Sequence, residues 1–189
     1  EKILPHFHIP LQSGSDKILK LMRRRYLREV YETRFEYIKE KIPKACIGSD
    51  VIVGFPGEDD FEFTKTYDFL KSIDISYLHV FSYSERSNTS SISINNKVSK
   101  TLKNKRSKIL RELSNSKKLK FYKNNINKYH KVLFEKENKN GYVYGYTENY
   151  VRVKSLWSNS KQNKILNCYL DDIDSDFNCI AEPVTELKV

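Results

Sequence analysis

Apolar and polar positions follow two rhythms, and the change between them divides the chain. Phe7 to Leu11 is an apolar stretch that reads as a strand. The turn Gln12-Ser13-Gly14-Ser15-Asp16 follows, with Ser15 or Asp16 placed to cap a helix. Ile18, Leu19 and Met22, then Val30, Tyr31, Phe35 and Ile38, recur at helical spacing until Pro43 closes the region. Ala45 to Val53 reads as a second strand, β-branched towards its end. It runs into the tight turn Gly54-Phe55-Pro56-Gly57. Glu58, Asp59 and Asp60 then place acids where a helix N-terminus favours them, and the helix runs past Tyr67, Phe69 and Leu70. Tyr77 to Ser82 is a third strand. The order βαβαβ predicts a parallel sheet or part of a (β/α) barrel.

Beyond a Ser/Asn-rich loop at 88–96, Leu102, Ile109, Leu110 and Leu113 form a helical stripe that Leu119, Tyr122 and Ile126 extend. From Lys131 the period becomes two. Five short strands are expected: Lys131–Glu137, Gly141–Thr147, Tyr150–Lys154, Ile165–Leu170 and Cys179–Glu182. Five strands in so short a span suggest a small OB-like barrel. The predicted fold class is α/β plus all-β, divided into an α/β domain over 1–95, a basic helical linker over 96–126 and a β-barrel over 127–189.

Charge sharpens this division. The 189 residues carry a net charge of +10. Residues 1–95 hold 14 Lys/Arg and 14 Asp/Glu, residues 96–126 hold 11 and 1, and residues 127–189 hold 9 and 9. The whole excess therefore lies in the linker. Surface helices usually interleave both signs, so this run favours a polyanion partner over a merely solvated face. An aromatic content of 13% argues against disorder, and no apolar run approaches a membrane span. Cys46, Cys168 and Cys179 lack zinc-ligand or redox spacing and read as reduced thiols. The chain opens on Glu1 rather than Met, so a piece of a longer polypeptide is expected.

In a parallel barrel, chemistry gathers on the loops after the strands. Here these are Gln12–Asp16, Gly54–Glu58 and Tyr83–Thr89. The first offers amide and hydroxyl groups near a helix N-terminus, suited to a ribose or a carboxylate. Asp50, inside an apolar strand, needs a partner or a ligand. His6 and His8 have the spacing to share one strand face. Without a third ligand in view, barrel-interior hydrogen bonding is preferred to a metal, and no metal ligands are assigned. In the small barrel, Tyr150, Arg152 and Lys154 share one predicted strand face, with Val151 and Val153 turned to the core. A ring for base stacking and two cations for phosphates result. Tyr142, Tyr144 and Tyr146 form a second stripe, equally readable as a half-buried sheet face. Asp171, Asp172, Asp174 and Asp176 lack an EF-hand frame and read as a solvated turn.

Four blocks carry a resemblance. His6-Phe7-His8-Ile9-Pro10-Leu11-Gln12-Ser13-Gly14-Ser15-Asp16 with Met22-x-Arg24-x-Tyr26 is similar to the central signature of the methylthiotransferase family of radical-SAM enzymes. Ser49-Asp50-Val51-Ile52-Val53-Gly54-Phe55-Pro56-Gly57-Glu58 resembles its next signature, and His79 to Arg86 with Thr89 its third. Gly145-Tyr146-Thr147-Glu148-Asn149-Tyr150 resembles the signature of its C-terminal RNA-binding TRAM domain. Ser87-Asn88 stands where many relatives have Pro-Gly.

The resemblance implies the C-terminal part of a partial (β/α) radical-SAM barrel followed by a TRAM barrel. It implies S-adenosylmethionine and [4Fe–4S] clusters as cofactors. The family's cluster motif C-x-x-x-C-x-x-C is absent here, so the cluster ligands lie outside this chain, and the chain alone is expected to be inactive. It assigns Gln12, Ser13 and Ser15 to the nucleoside of S-adenosylmethionine and Arg24 to its carboxylate. Asp50 goes to a ribose hydroxyl or a nearby cation, and Val53 and Gly54 to the adenine. The catalytic residues stay unassigned. Lys117, Lys118, Lys120, Tyr150, Arg152 and Lys154 are the candidate RNA contacts. The expected partner is tRNA, with no membrane association, in a monomeric cytoplasmic enzyme whose sulfur donor is not identified. The blocks look most like the branch acting on threonylcarbamoyl-adenosine. Isopentenyl-adenosine in tRNA, an aspartate of a ribosomal protein, and a non-catalytic RNA-binding module are the alternatives.

Overall fold

The computed structural model describes residues 3–184. They form two compact units, Phe7–Lys118 on one side and Leu119 onward, with the residues before Phe7, on the other. The division falls inside one helix, α4 (Lys100–Lys123). The basic segment is thus not a separate body. Its Leu110 belongs to the core of the first unit and its Tyr122 to the core of the barrel.

The first unit holds a three-stranded sheet in the order β1 (His6–His8), β2 (Cys46–Val53), β3 (Tyr77–Ser82). β2 and β3 are parallel, with Gly48 opposite Tyr77 and Val53 opposite Ser82. The first strand is shorter than the apolar run suggests. Pro10 has no N–H to give a ladder; past it Leu11 N donates to the Ser49 hydroxyl, and the chain pairs with β2 again at the Gln12–Val51 bridge, where Gln12 takes φ 73°. The following helical region divides into α1 (Asp16–Leu21) and α2 (Arg28–Lys41). Between them Arg23 adopts φ 56° and its N–H closes back on Lys20 O at 2.9 Å. α3 (Asp60–Ser72) starts on Asp59, whose carboxylate accepts from Glu62 N at 2.9 Å. Burial alternates along the strands. Val51, Val53, Leu78 and Val80 turn into a core with Leu11, Ile47, Leu70 and Leu110, while Asp50, Ile52, His79 and Phe81 lie on the other, more open face. Each fully buried aliphatic side chain contributes roughly 1.5–3 kcal/mol.

The second unit is a closed five-stranded barrel in the order β4-β5-β6-β8-β7. Its strands are β4 (Lys128–Lys139), β5 (Tyr142–Thr147), β6 (Arg152–Leu156), β7 (Ile165–Ile173) and β8 (Cys179–Pro183). All pairings are antiparallel except β6 with β8. Val132, Phe134, Val143, Val151, Val153 and Leu170 are fully buried inside it. β5 runs so close to β4 that a Cβ on Gly145 would sit 2.4 Å from Leu133 O. The five expected strands are all present, with one difference of consequence: Tyr150 precedes β6, in a turn with φ 68°. Among the described residues no helix is long and apolar enough to cross a membrane.

Candidate functional site

On the open face of the sheet, three strands bring titratable groups together. Asp50 stands in register opposite His79. Its Oδ1 accepts from or pairs with His8 Nε2 at 2.8 Å and lies 3.3 Å from His79 Nδ1. The His8 and His79 rings stack with centroids 5.0 Å apart, and Tyr77 Oη reaches His8 Nδ1 at 3.5 Å. Tyr77 can cover β2 only because Gly48 has no side chain, since a Cβ there would fall 2.1 Å from the Tyr77 ring. The acid that the apolar strand left unexplained is therefore answered by two histidines from neighbouring strands.

Towards the C-terminal ends of the same strands this face opens into a cleft of about 430 Å³, lined by Gln12, Asp50, Ile52 and Phe81 and, from the segment that follows, by Ser82 to Ser84, Arg86, Thr89 and Ser91. Its rim is stiffened locally. Tyr83 Oη donates to Ser91 Oγ at 2.7 Å, and Thr89 Oγ1 donates to Arg86 O at 2.8 Å. Asn88 sits at φ 66°. Asn tolerates the left-handed region better than most residues, so it fills the conformational role a glycine would have there.

Of the residues expected to hold a cofactor, Gln12 and Asp50 line this cleft and the others do not. Ser13 and Ser15 are fully buried. Ser13 Oγ meets Thr66 Oγ1 at 3.2 Å. Ser15 Oγ accepts from Ile18 N at 3.2 Å to cap α1 and donates to the buried Glu62 carboxylate. The motif's serines thus fasten α1 to α3. Ser15→Ala removes both the cap and the bond to a buried carboxylate, and should lower stability by about 1–2 kcal/mol, read as a shifted urea midpoint. Val53 is buried, and Gly54, at φ 74°, donates its N–H to Glu58 Oε1 at 2.8 Å beneath the Lys103 side chain. Arg24 is exposed. Its motif neighbour Tyr26 donates to Leu11 O at 3.1 Å, and burial raises the phenol above its usual range, opposed by the nearby Arg24 charge. Arg86 falls in the loop after the third strand where sequence reasoning expected chemistry, whereas His79 and Phe81 were not assigned as site residues. That His79 stands opposite Asp50 and Phe81 opposite Ile52 needed the register of β2 on β3.

The barrel carries a second candidate surface. Tyr142, Tyr144 and Tyr146 on β5 stand opposite Leu156, Lys154 and Arg152 on β6, all half-buried except Leu156. The Arg152 guanidinium lies 4.6 Å from the Tyr146 centroid and 5.1 Å from that of Tyr144. Tyr150, 43% exposed, stacks on Tyr146 at 4.5 Å and 12°. Beneath, Thr147 Oγ1 donates to Asn149 Oδ1 at 2.7 Å and accepts from Val151 N at 2.9 Å, while Asn149 Nδ2 donates to Asn125 Oδ1 at 2.8 Å. This buried network holds the turn that presents Tyr150, so half of the Gly145–Tyr150 block is scaffold and half is surface. The expected phosphate cations are partly neutralised. Arg152 forks onto Glu135 at 2.9 and 3.0 Å and holds that carboxyl below its usual range. Lys154 pairs with Asp174 at 2.6 Å, and that hydrogen bond raises the ammonium's pKa. Asp174 also accepts from Asn178 N at 2.7 Å, so the acidic turn is internally braced. The linker's charge is distributed too: Lys117 Nζ donates to Lys71 O and Ile73 O at 2.7 and 2.5 Å at the end of α3, and Arg106 is buried against Glu58.

A family model described as "Radical SAM superfamily" matches residues 1–70. The "Threonylcarbamoyladenosine tRNA methylthiotransferase MtaB" of Aquifex aeolicus is 46% identical over 154 residues, covering 82% of this chain and 36% of that protein. The protein of the same name from Bacillus subtilis is 40% identical over 158 residues, 81% and 35% respectively. The "tRNA-2-methylthio-N(6)-dimethylallyladenosine synthase" of Carboxydothermus hydrogenoformans is 38% identical over 138 residues, 73% and 31%. The chain belongs to the radical-SAM methylthiotransferase family. It spans about a third of the length of these relatives.

Radical-SAM methylthiotransferases rely on S-adenosylmethionine and iron–sulfur clusters, and the residues present fit these groups unequally. All three cysteines are buried. Burial pushes the Cys46 and Cys168 thiols up to about 11, opposed by lesser influences, whereas a cluster needs thiolates. They do not form a cluster site. The cleft does suit a polar, zwitterionic nucleoside, since it sets an amide, a carboxylate and a guanidinium around an apolar floor of Ile52 and Phe81.

Proposed function

We propose that the protein carrying this chain is a tRNA methylthiotransferase that installs a methylthio group on C2 of N6-threonylcarbamoyladenosine. In this reading the sheet supplies half of the reaction chamber and the barrel grips the tRNA. The observation that carries it is the 46% identity to a threonylcarbamoyladenosine enzyme across 82% of the chain. Relatives named for dimethylallyladenosine, at 38–40%, define the second reading.

S-adenosylmethionine, when bound beside a reduced cluster, supplies the radical that removes hydrogen from the target carbon. The chain's own residues orient and enclose. Gln12, held at the sheet edge by its bridge to Val51, offers its amide to the nucleoside. Arg86 offers a guanidinium to a carboxylate. Ile52 and Phe81 form an apolar floor that limits water around a reactive intermediate. The sulfur donor is not assigned, and a cytoplasmic monomer is the simplest form of this proposal.

The test is nucleoside mass spectrometry of tRNA from a strain lacking the gene. The methylthio-threonylcarbamoyl mark should vanish while the methylthio-isopentenyl mark persists. The reverse pattern would establish the dimethylallyl branch instead. Retention of both marks would exclude tRNA methylthiolation as the activity.

A further inference from the structure

We propose that His8, Asp50 and His79 form a binding site for one divalent transition-metal ion, separate from any iron–sulfur cluster. The inference rests on the sheet and stands apart from the tRNA reading.

The donor atoms are already spaced as neighbouring ligands. Two donors each about 2.1 Å from one ion stand roughly 3–3.4 Å apart at octahedral to tetrahedral angles. Asp50 Oδ1 lies 2.8 Å from His8 Nε2 and 3.3 Å from His79 Nδ1, and the three atoms fall within 4.8 Å of one another. Modest spreading around an ion suffices. The backbone sets this spacing, since Asp50 and His79 are register partners on adjacent strands and β1 follows on the other side of β2. A site built on strands is more exact than one built on loops.

The donor chemistry selects the ion. Two imidazoles and one carboxylate suit Zn²⁺, Fe²⁺, Co²⁺ or Ni²⁺ and disfavour Ca²⁺ or Mg²⁺, which prefer all-oxygen shells. Tyr77 Oη, 3.5 Å from His8 Nδ1, engages the far ring nitrogen and leaves Nε2 for the ion, the arrangement common to metal-binding histidines. Among the described residues three protein donors converge, and the His79 side chain is 54% exposed, so further coordination positions remain open. Asp50 also lines the cleft, which puts a cleft ligand within reach of the ion. The buried cysteines do not compete.

The experiment is titration of the chelator-treated, tag-free full chain with Co²⁺, followed by visible absorption and by displacement with Zn²⁺. One ion per chain should bind, with ligand-field bands of a nitrogen–oxygen site. Losing an outer-shell partner typically costs about 10–100-fold in metal affinity. Tyr77→Phe should therefore fall near the low end of that range, and His79→Gln and Asp50→Asn beyond it. His79 is largely exposed, so His79→Gln keeps the fold and decides the matter if Asp50→Asn does not. Failure of the wild-type chain to bind one ion, or undiminished binding by folded His79→Gln, overturns the proposal.

Discussion

Arg106→Leu should destabilise the sheet unit by about 3–5 kcal/mol, the usual cost of breaking a buried ion pair from one side. Arg106 is 2% exposed, and its Nη1 donates to Glu58 O at 2.9 Å and Glu58 Oε1 at 2.8 Å. Nη2 reaches Asp60 Oδ1 at 2.7 Å, and the guanidinium lies over Phe63. The Glu58 carboxylate, 3% exposed, also receives Gly54 N. Without Arg106 it would be a buried charge with one backbone donor. The effect should depend on pH. Burial already raises the Glu58 pKa, with the Gly54 bond and Arg106 pulling the other way. Between the unfolded carboxyl value and the higher folded one, the folded state binds more protons. Stability from this group is therefore full below that window and lost as pH rises through it. Removing Arg106 raises the folded value further, so the variant's deficit should be largest near neutrality and shrink in mild acid. Urea unfolding followed by helical circular dichroism at two pH values measures this, and Glu58→Gln in the same chain should recover part of the loss. A deficit below about 1 kcal/mol at neutral pH, outside the buried-pair range, would show that the pair is not a structural keystone.

Replacing both Tyr146 and Tyr150 with Ala in the full chain should weaken tRNA binding by about 1–3 kcal/mol for each stacked base lost, while leaving its salt dependence nearly unchanged. The two rings form a continuous stack closed by Arg152 at one end and by the His6 ring, 3.9 Å from Tyr150, at the other, so an unstacked base joins it by displacing one of these end members. Salt dependence counts neutralised phosphates, and Arg152 and Lys154 already face Glu135 and Asp174. Glu135→Gln should therefore steepen the salt slope by up to about one ion, by leaving Arg152 uncompensated. Lys117, engaged with the α3 carbonyls, should contribute little to that slope. Filter binding at several salt concentrations separates these terms. Equal loss of slope and affinity in the tyrosine variant would mean that the platform acts through phosphates and not bases.

Local patterning by itself determined a great deal. The βαβαβ order, the N-cap at Ser15, the Gly54–Gly57 turn and all five barrel strands follow from hydrophobic period, caps and turn residues, which act over a few neighbours. Val151 and Val153 reach the barrel core as alternation requires. The charge excess was visible but its destination was not, because an unpaired lysine and one capping a distant helix look alike in sequence. The same limit applies to Ser13 and Ser15, whose partners Thr66 and Glu62 lie some fifty residues away. It applies equally to Tyr150, moved from strand to turn by a buried Thr147–Asn149–Asn125 network. His8, Asp50 and His79 were each legible as polar residues on strands. Only the parallel register of β2 on β3, with β1 completing the sheet, decided that they meet at one carboxylate oxygen. Register is fixed by packing of whole strand faces, a property no short window of sequence contains.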